Sequence, residues 1–176
     1  MTSYRIRRAK PEDAARVARV HTLGWRQGFA GLLPEDFLAS RVMEPDVWTS
    51  RIAEPAPYAV LVAQPPDVAE DASVCGFVAV GPALPPAPTS QRCGQLYAIY
   101  VLADVWGAGV GFALHSAAMT ALRAAGFIEA VLWHLEGNTR ALTFYQRQGW
   151  QETSTMQVEE LGGVDAWQRL LRLPLG

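Results

Sequence analysis

The chain has 176 residues, 50% hydrophobic and 18% charged, with 15 basic against 17 acidic residues and a formal net charge of −2. These values are those of one globular domain with its own core, spanning 1–176, and the charge balance excludes the basic surface of a nucleic-acid binder. No apolar run approaches the ~20 residues of a membrane span, and the N-terminus has no secretory apolar segment, so the expected location is cytoplasmic.

In chain order, "YRIRRAKPED" predicts a short strand and then a helix start, with Pro11 and two acids in its first turn. The basic cluster Arg5 to Lys10 reads as a solvated strand end. Val17, Val20 and Leu23 mark an amphipathic helix, with Leu32 at its exit, and "LLPEDFLASR" and "EPDVWTSRI" predict two further short helices. "YAVLVAQ" (58–64) and "VCGFVAVG" (74–81) are strands separated by the polar turn "PPDVAEDAS". "PALPPAPTSQR", with four prolines, is an exposed loop that overhangs the site. "GQLYAIYVL" (94–102) is apolar on both faces, as a central strand is.

Further on, Val110, Leu114, Ala117, Ala118, Ala121 and Ala125 recur at helical spacing up to Gly126. "EAVLWHLE" is another buried strand. "NTRALTFYQRQG" is a helix with Asn138 as N-cap and Gly149 as stop, and "WQETSTMQVEEL" and "VDAWQRLLRL" close a hairpin at Gly162-Gly163. Cys75 and Cys93 open neighbouring antiparallel strands at opposite ends, out of disulfide reach. Two cysteines and three histidines show no zinc spacing, so no metal is expected.

The stretch "DVWGAGVGFALH" (104–115) sets Gly107, Gly109 and Gly111 between a buried strand and a helix. A helix N-terminus offers unpaired N–H groups and a positive partial charge, and glycine lets an anion approach them. A phosphate or pyrophosphate is the ligand this predicts. A P-loop would end in Lys-Ser or Lys-Thr where Phe112 and Ala113 stand, and a dinucleotide fingerprint would need glycine at 112.

The segment Trp106-Gly107-Ala108-Gly109-Val110-Gly111 resembles the acyl-CoA-binding motif of the GNAT superfamily of N-acetyltransferases, with Trp106 in place of the usual Arg or Gln. "EGNTRALTFYQRQGW" resembles the same family's Asn-x-x-Ala-x-x-x-Tyr-x-x-x-Gly pattern through Asn138, Ala141 and Tyr145. The resemblance runs over essentially the whole chain. It implies an α/β fold with a mixed, mostly antiparallel sheet of about seven strands, flanked by helices and splayed at its two central strands. It implies acetyl-CoA as co-substrate, with its pyrophosphate on the amides of Gly107, Ala108, Gly109, Val110, Gly111 and Phe112. The pantetheine arm would add along the strand edge at Ile99 and Val101. Asn138 would either reach that arm or cap its helix, and Tyr145 would contact the cofactor.

An amine attacks a thioester directly, so no enzyme nucleophile is needed, and none is evident. By the resemblance, the backbone N–H of Ile99 would stabilise the oxyanion and Tyr145 would protonate the departing thiolate. For the base, Gln95 stands where the family often has Glu; a water on Gln95 and Tyr97, His134 and Glu136 are alternatives. His21, Trp25 and Phe29 on the first helix are candidates for the acceptor pocket, with Trp48 and Tyr97 adding aromatic surface or plain core. The acceptor is an amine, as a small molecule or on a peptide, and a homodimer is compatible with this reading. Two rival readings are a non-catalytic acyl-CoA sensor on the same fold and a nucleotide-binding interaction domain.

Overall fold

The apolar strand patterns build one seven-stranded sheet in the order β1-β2-β3-β4-β5-β7-β6. The computed structural model of the protein describes residues 4–66, 73–87 and 92–176; most of the polar turn and the far end of the proline loop lie outside them. The strands are β1 (Arg5–Arg8), β2 (Ala59–Gln64), β3 (Gly76–Pro82), β4 (Cys93–Val101), β5 (Glu129–Leu135), β6 (Gln151–Leu161) and β7 (Val164–Pro174). All pair antiparallel except β4 and β5. The helices are α1 (Ala14–Gly28), α2 (Glu35–Ser40), α3 (Pro45–Ala53), α4 (Val110–Ala124) and α5 (Thr139–Arg147).

Alternation along the strands splits the apolar residues between two layers. Ala59, Ala63, Val78 and Val80 face Leu114, Ala118 and Leu122 of α4. Val60, Val62, Phe77 and Ala79 face Val17 and Val20 of α1 and Trp48 and Ile52 of α3. A smaller cluster joins Leu33 and Leu38 to Leu161 and Ala166 near the tip of the β6–β7 hairpin. That tip turns through Gly162 and Gly163, at φ +64° and +81°, which glycine adopts without strain. A Cβ on Gly162 would come within 2.6 Å of the Phe37 side chain, so the hairpin docks closely on α2.

Three local expectations shift. Leu32 is exposed, and the neighbouring Leu33 is the residue that turns inward. The buried stripe of α4 runs through Val110, Leu114, Ala118 and Leu122 with His115 and Met119, while Ala125 lies outside the helix and exposed. The basic cluster is not wholly solvated, since Arg7 clamps the buried Asp13 carboxylate at 2.6 and 2.9 Å and donates to Gln64 at 2.9 Å. Cys75 and Cys93 are free and buried, as their strand positions require. No described helix is long and apolar enough to cross a membrane, and no described cluster of His, Cys, Asp or Glu could hold a metal ion.

Candidate active site

The sheet comes apart at its centre. β4 and β5 share three parallel pairs, Cys93–Glu129, Gly94–Ala130 and Gln95–Val131, and then diverge. The divergence coincides with a bulge in β4. Val80 pairs with Leu96 and Ala79 with Ala98, leaving Tyr97 as the extra residue. Leu96 therefore faces α4, Tyr97 and Ala98 both face α1, and Ile99 faces α4 again. A cleft of about 730 Å³ fills the gap, within the range of small-molecule sites.

One long wall of the cleft is backbone. Leu102 N–H donates to the Cys75 carbonyl at 2.9 Å, which makes Leu102–Cys75 and Tyr100–Phe77 the hydrogen-bonded pairs of the β3–β4 ladder. The backbone groups of Ile99 and Val101 then point away from β3, into the gap. The Val101 carbonyl accepts the Trp106 indole N–H at 2.8 Å, leaving the N–H of both residues and the Ile99 carbonyl on the open edge.

At the end of β4 the glycine loop meets α4. Gly107 has φ +79°, and Gly109, the N-cap of α4, has φ +86°. A Cβ at either position would meet nothing within 4 Å, so it is the left-handed backbone, not crowding by protein, that calls for glycine. The first-turn amides of Val110, Gly111 and Phe112 have no acceptor within the helix. The Ala108 N–H, by contrast, already donates to the Val105 carbonyl at 3.3 Å. Open space, first-turn amides and an unpaired strand edge fit an extended ligand with an anionic tail.

The facing wall comes from β5 and α5. Asn138 caps α5, its Oδ1 accepting the Ala141 N–H at 3.1 Å and its Nδ2 reaching the Gly28 carbonyl at 3.5 Å. His134 Nε2 lies 3.0 Å from the Asn138 carbonyl, which can only accept, so that nitrogen carries the hydrogen. Tyr145 lines the cleft among Phe144, His134 and Trp150, with ring centroids 5.4, 6.4 and 6.1 Å away. Burial raises the pKa of its phenol, which keeps it a hydrogen-bond donor across the physiological range.

The cleft gathers Ile99, Val101, Gly107, Gly109, Gly111, Phe112, Asn138 and Tyr145, together with Phe29, Tyr97 and His134. It leaves out five of the residues expected near the acceptor, His21, Trp25, Trp48, Gln95 and Glu136. His21 sits in an aromatic cage of Trp48, Phe77 and Tyr100, its Nε2 accepting the Trp25 indole at 3.1 Å. Burial, with Arg41 nearby, lowers its pKa to about 4. Trp25 packs on Phe29 and under the Arg41 guanidinium. Gln95 is buried, its Oε1 accepting the Leu84 N–H at 3.0 Å, and the Tyr97 hydroxyl donates to the Pro82 carbonyl. These two side chains hold the start of the proline loop and do not present a water to the cleft. Glu136 is paired with Arg169 at 2.6 Å and lies off the cleft lining. The described part of the proline loop does not line the cleft either, and its Ala87 packs beside Cys93 and Leu170.

Tyr100, Gly24 and Arg140 line the cleft without having been singled out. Gly24 carried a signal, because glycine inside a helix costs about 1 kcal/mol against alanine. It is there because the Tyr100 ring lies where a side chain would be, 2.6 Å from a Cβ at position 24. Tyr100 reaches that place through the bulge, which the sequence does not display.

The model of the acetyltransferase (GNAT) family matches residues 20–150. An uncharacterised N-acetyltransferase of Bacillus subtilis strain 168, YuaI, is 34% identical over 145 residues, 80% of this chain and 76% of that one. The PaiA N-acetyltransferase of Thermoplasma acidophilum, in complex with coenzyme A, shares the fold at a TM-score of 0.73 and 18% identity, over 98% of this chain and 99% of its own. The YncA structure of Salmonella typhimurium, with its cofactor acetyl-CoA, does so at 0.76 and 17%, over 99% and 95%. A splayed sheet, a glycine turn at a helix start and a family match across three-quarters of the chain agree, and the chain belongs to the acyl-CoA-dependent N-acetyltransferases of the GNAT family.

Proposed function

We propose that this chain moves an acetyl group from acetyl-CoA to the primary amine of an acceptor with an apolar body, by direct attack through a tetrahedral intermediate. The observation that carries this reading is the parting of β4 from β5 directly beside the glycine turn of α4. A pantetheine arm carries amides at peptide-like spacing, so it can pair with the edge groups of Ile99 and the Val101 N–H. The pyrophosphate meets the first-turn amides of Val110, Gly111 and Phe112 and the open side of Gly107 and Gly109. Asn138 acts through its cap, holding α5 to Gly28. The known complexes of PaiA with coenzyme A and of YncA with acetyl-CoA support the choice of ligand.

The Ile99 N–H stabilises the oxyanion that forms when the amine adds. When the intermediate collapses, the C–S bond breaks and the thiolate leaves toward Tyr145. A phenol whose pKa is raised cannot fully transfer its proton to a thiolate of ordinary pKa near ~8.5. It stabilises the leaving group by hydrogen bonding, and water completes the protonation. Among the described residues that line the cleft, none is Asp or Glu. The acceptor therefore arrives as the free amine or gives its proton to water or to His134, whose Nδ1 is the unprotonated nitrogen when Nε2 donates to the Asn138 carbonyl.

Thermal shift against acetyl-CoA, coenzyme A, NAD and ATP tests the ligand; a preference for NAD or ATP defeats the proposal. An amine panel read by thiol release tests the reaction, and kcat/KM should climb with pH up to the acceptor's own pKa. The lack of a lining carboxylate also favours a second reading, an acyl-CoA sensor. That reading predicts tight acetyl-CoA binding and no thiol release with any amine.

A further inference from the structure

Trp106 and Arg140 meet across the mouth of the cleft. Trp106 stands directly before Gly107, where the GNAT-like pattern has Arg or Gln, so the glycine turn lacks a polar donor side chain at that position of its own segment. The indole N–H of Trp106 is fixed on the Val101 carbonyl at 2.8 Å. Arg140, in the first turn of α5, lays its guanidinium over that indole, 3.5 Å from the ring centroid. Both side chains line the cleft beside Gly107 and Gly109. Arg140 has no carboxylate within salt-bridge distance among the described residues. A guanidinium stacked by its face on an aromatic ring keeps its in-plane N–H groups free for a second partner.

We propose that Arg140, carried on the Trp106 ring, binds a pyrophosphate oxygen of acetyl-CoA and supplies from α5 the side-chain donor missing at position 106. This inference rests on the acetyl-CoA reading above. The planar, bidentate donors of arginine suit a phosphate, and a charge-assisted bond at a partly dried site is among the stronger polar contacts. Trp106 is a positioning residue, since its ring decides where the guanidinium lies. The anion is thus gripped from both walls of the cleft, by α4 amides on one and by an α5 cation on the other.

The test is a calorimetric titration of acetyl-CoA into wild type, Arg140→Ala, Trp106→Ala and the double variant. The side chain of Arg140 is exposed, so an unchanged melting temperature without ligand confirms that the fold is intact. Arg140→Ala should weaken binding ~10- to 100-fold, with a shallower dependence on salt, and KM for acetyl-CoA should rise by more than kcat falls. Trp106→Ala should lose nearly as much, and the double variant little more than either. Trp106→Arg should make a later Arg140→Ala nearly silent. Acetyl-dephospho-CoA, which keeps the pyrophosphate, should still sense Arg140→Ala, and S-acetyl-pantetheine, which has no phosphate, should not. Equal acetyl-CoA affinity in wild type and Arg140→Ala overturns the proposal. So does an equal loss with S-acetyl-pantetheine, or a loss that disappears with acetyl-dephospho-CoA. Failure of wild type to bind acetyl-CoA at all is a different result, and it removes the underlying ligand assignment.

Discussion

The two ends of the cleft are made of different material. The glycine-loop end is mostly backbone: first-turn amides of α4, a left-handed N-cap at Gly109 and the bare edge of β4. The other end is side chains, among them Phe29, Tyr97, Tyr100 and His134, and their polar atoms are largely engaged by the protein itself. Backbone groups recognise what all acyl-CoA molecules share, and they do so wherever the chain can adopt the required φ and ψ. Aromatic walls recognise shape, so on the proposed reading a change of one side chain there would alter which acceptor fits. The first end should fail abruptly when disturbed, and the second by degrees.

The harshest way to break this contrast is Gly109→Glu. Position 109 has φ +86° with open space around a Cβ, so the variant combines a strained backbone with a carboxylate where the phosphate is proposed to lie. The stabilisation by acetyl-CoA should vanish, a loss of affinity above ~100-fold, equivalent to more than about 2.7 kcal/mol. A melting curve with and without acetyl-CoA measures it, and an unchanged shift would remove the pyrophosphate from this turn.

Tyr145→Phe removes one oxygen between the two ends while keeping the ring packed among Phe144, His134 and Trp150. We expect kcat to fall ~10- to 100-fold with the acetyl-CoA dissociation constant near wild type, because the hydroxyl matters chiefly in the transition state. The loss lies below the ~10²–10⁴-fold of full acid catalysis because the phenol only hydrogen-bonds the leaving thiolate and water can partly substitute. Lost affinity with normal kcat would move Tyr145 to the binding end.

Acid stability sharpens the contrast between the packing beneath the cleft and the cleft itself. His115 is buried under α5 and accepts the Trp150 indole at 2.9 Å; burial first, then Arg123, lowers its pKa to about 4. Its folded pKa is below the unfolded value of ~6.5, so it favours the fold above pH 6.5, and that contribution drains away as pH falls toward 4. Between pH 7 and 5.5 it should cost about 1 kcal/mol of unfolding free energy. Denaturant titrations at the two pH values read this together with a like contribution from His21, and His115→Gln should remove about half of the slope. No change in slope would place the titration elsewhere.

Glu136→Gln should have the smallest effect. The carboxylate faces Arg169, not the cleft, so kcat/KM should stay within ~2-fold, the small effect expected away from catalytic groups. A loss of a hundredfold would return Glu136 to the role of base.

Much of the fold could be read from the sequence because it rests on local signals. The glycines at 107, 109, 149, 162 and 163 mark turns with positive φ, and Asn138 marks a cap. The glycine-loop end of the site was legible for the same reason. The acceptor end was not, because it depends on which way β4 faces after the bulge at Tyr97. One extra residue sends Tyr97 and Ala98 to the same face and reverses the alternation beyond them. His21, Trp25, Gln95 and Glu136 have the right chemistry, yet each is turned toward a partner distant in sequence or folded into the core. Periodicity cannot show such partners.

The early end of the β4–β5 ladder also sets a length scale. Beyond Gln95, β4 continues for six residues to Val101 without its parallel neighbour. At ~3.3 Å per residue that edge is about 20 Å long. On the proposed reading it acts as a ruler laid beside the pantetheine arm, with the glycine turn as its zero mark. On that reading, a thioester whose arm is shorter than the distance from the turn to the Ile99 N–H cannot touch both at once, however good its acyl group, while one extended chain is as thick as the missing strand. Amide hydrogen exchange makes the ruler visible: the N–H groups of Ile99 and Val101 should exchange quickly in the free protein and slow together only for thioesters long enough to span it.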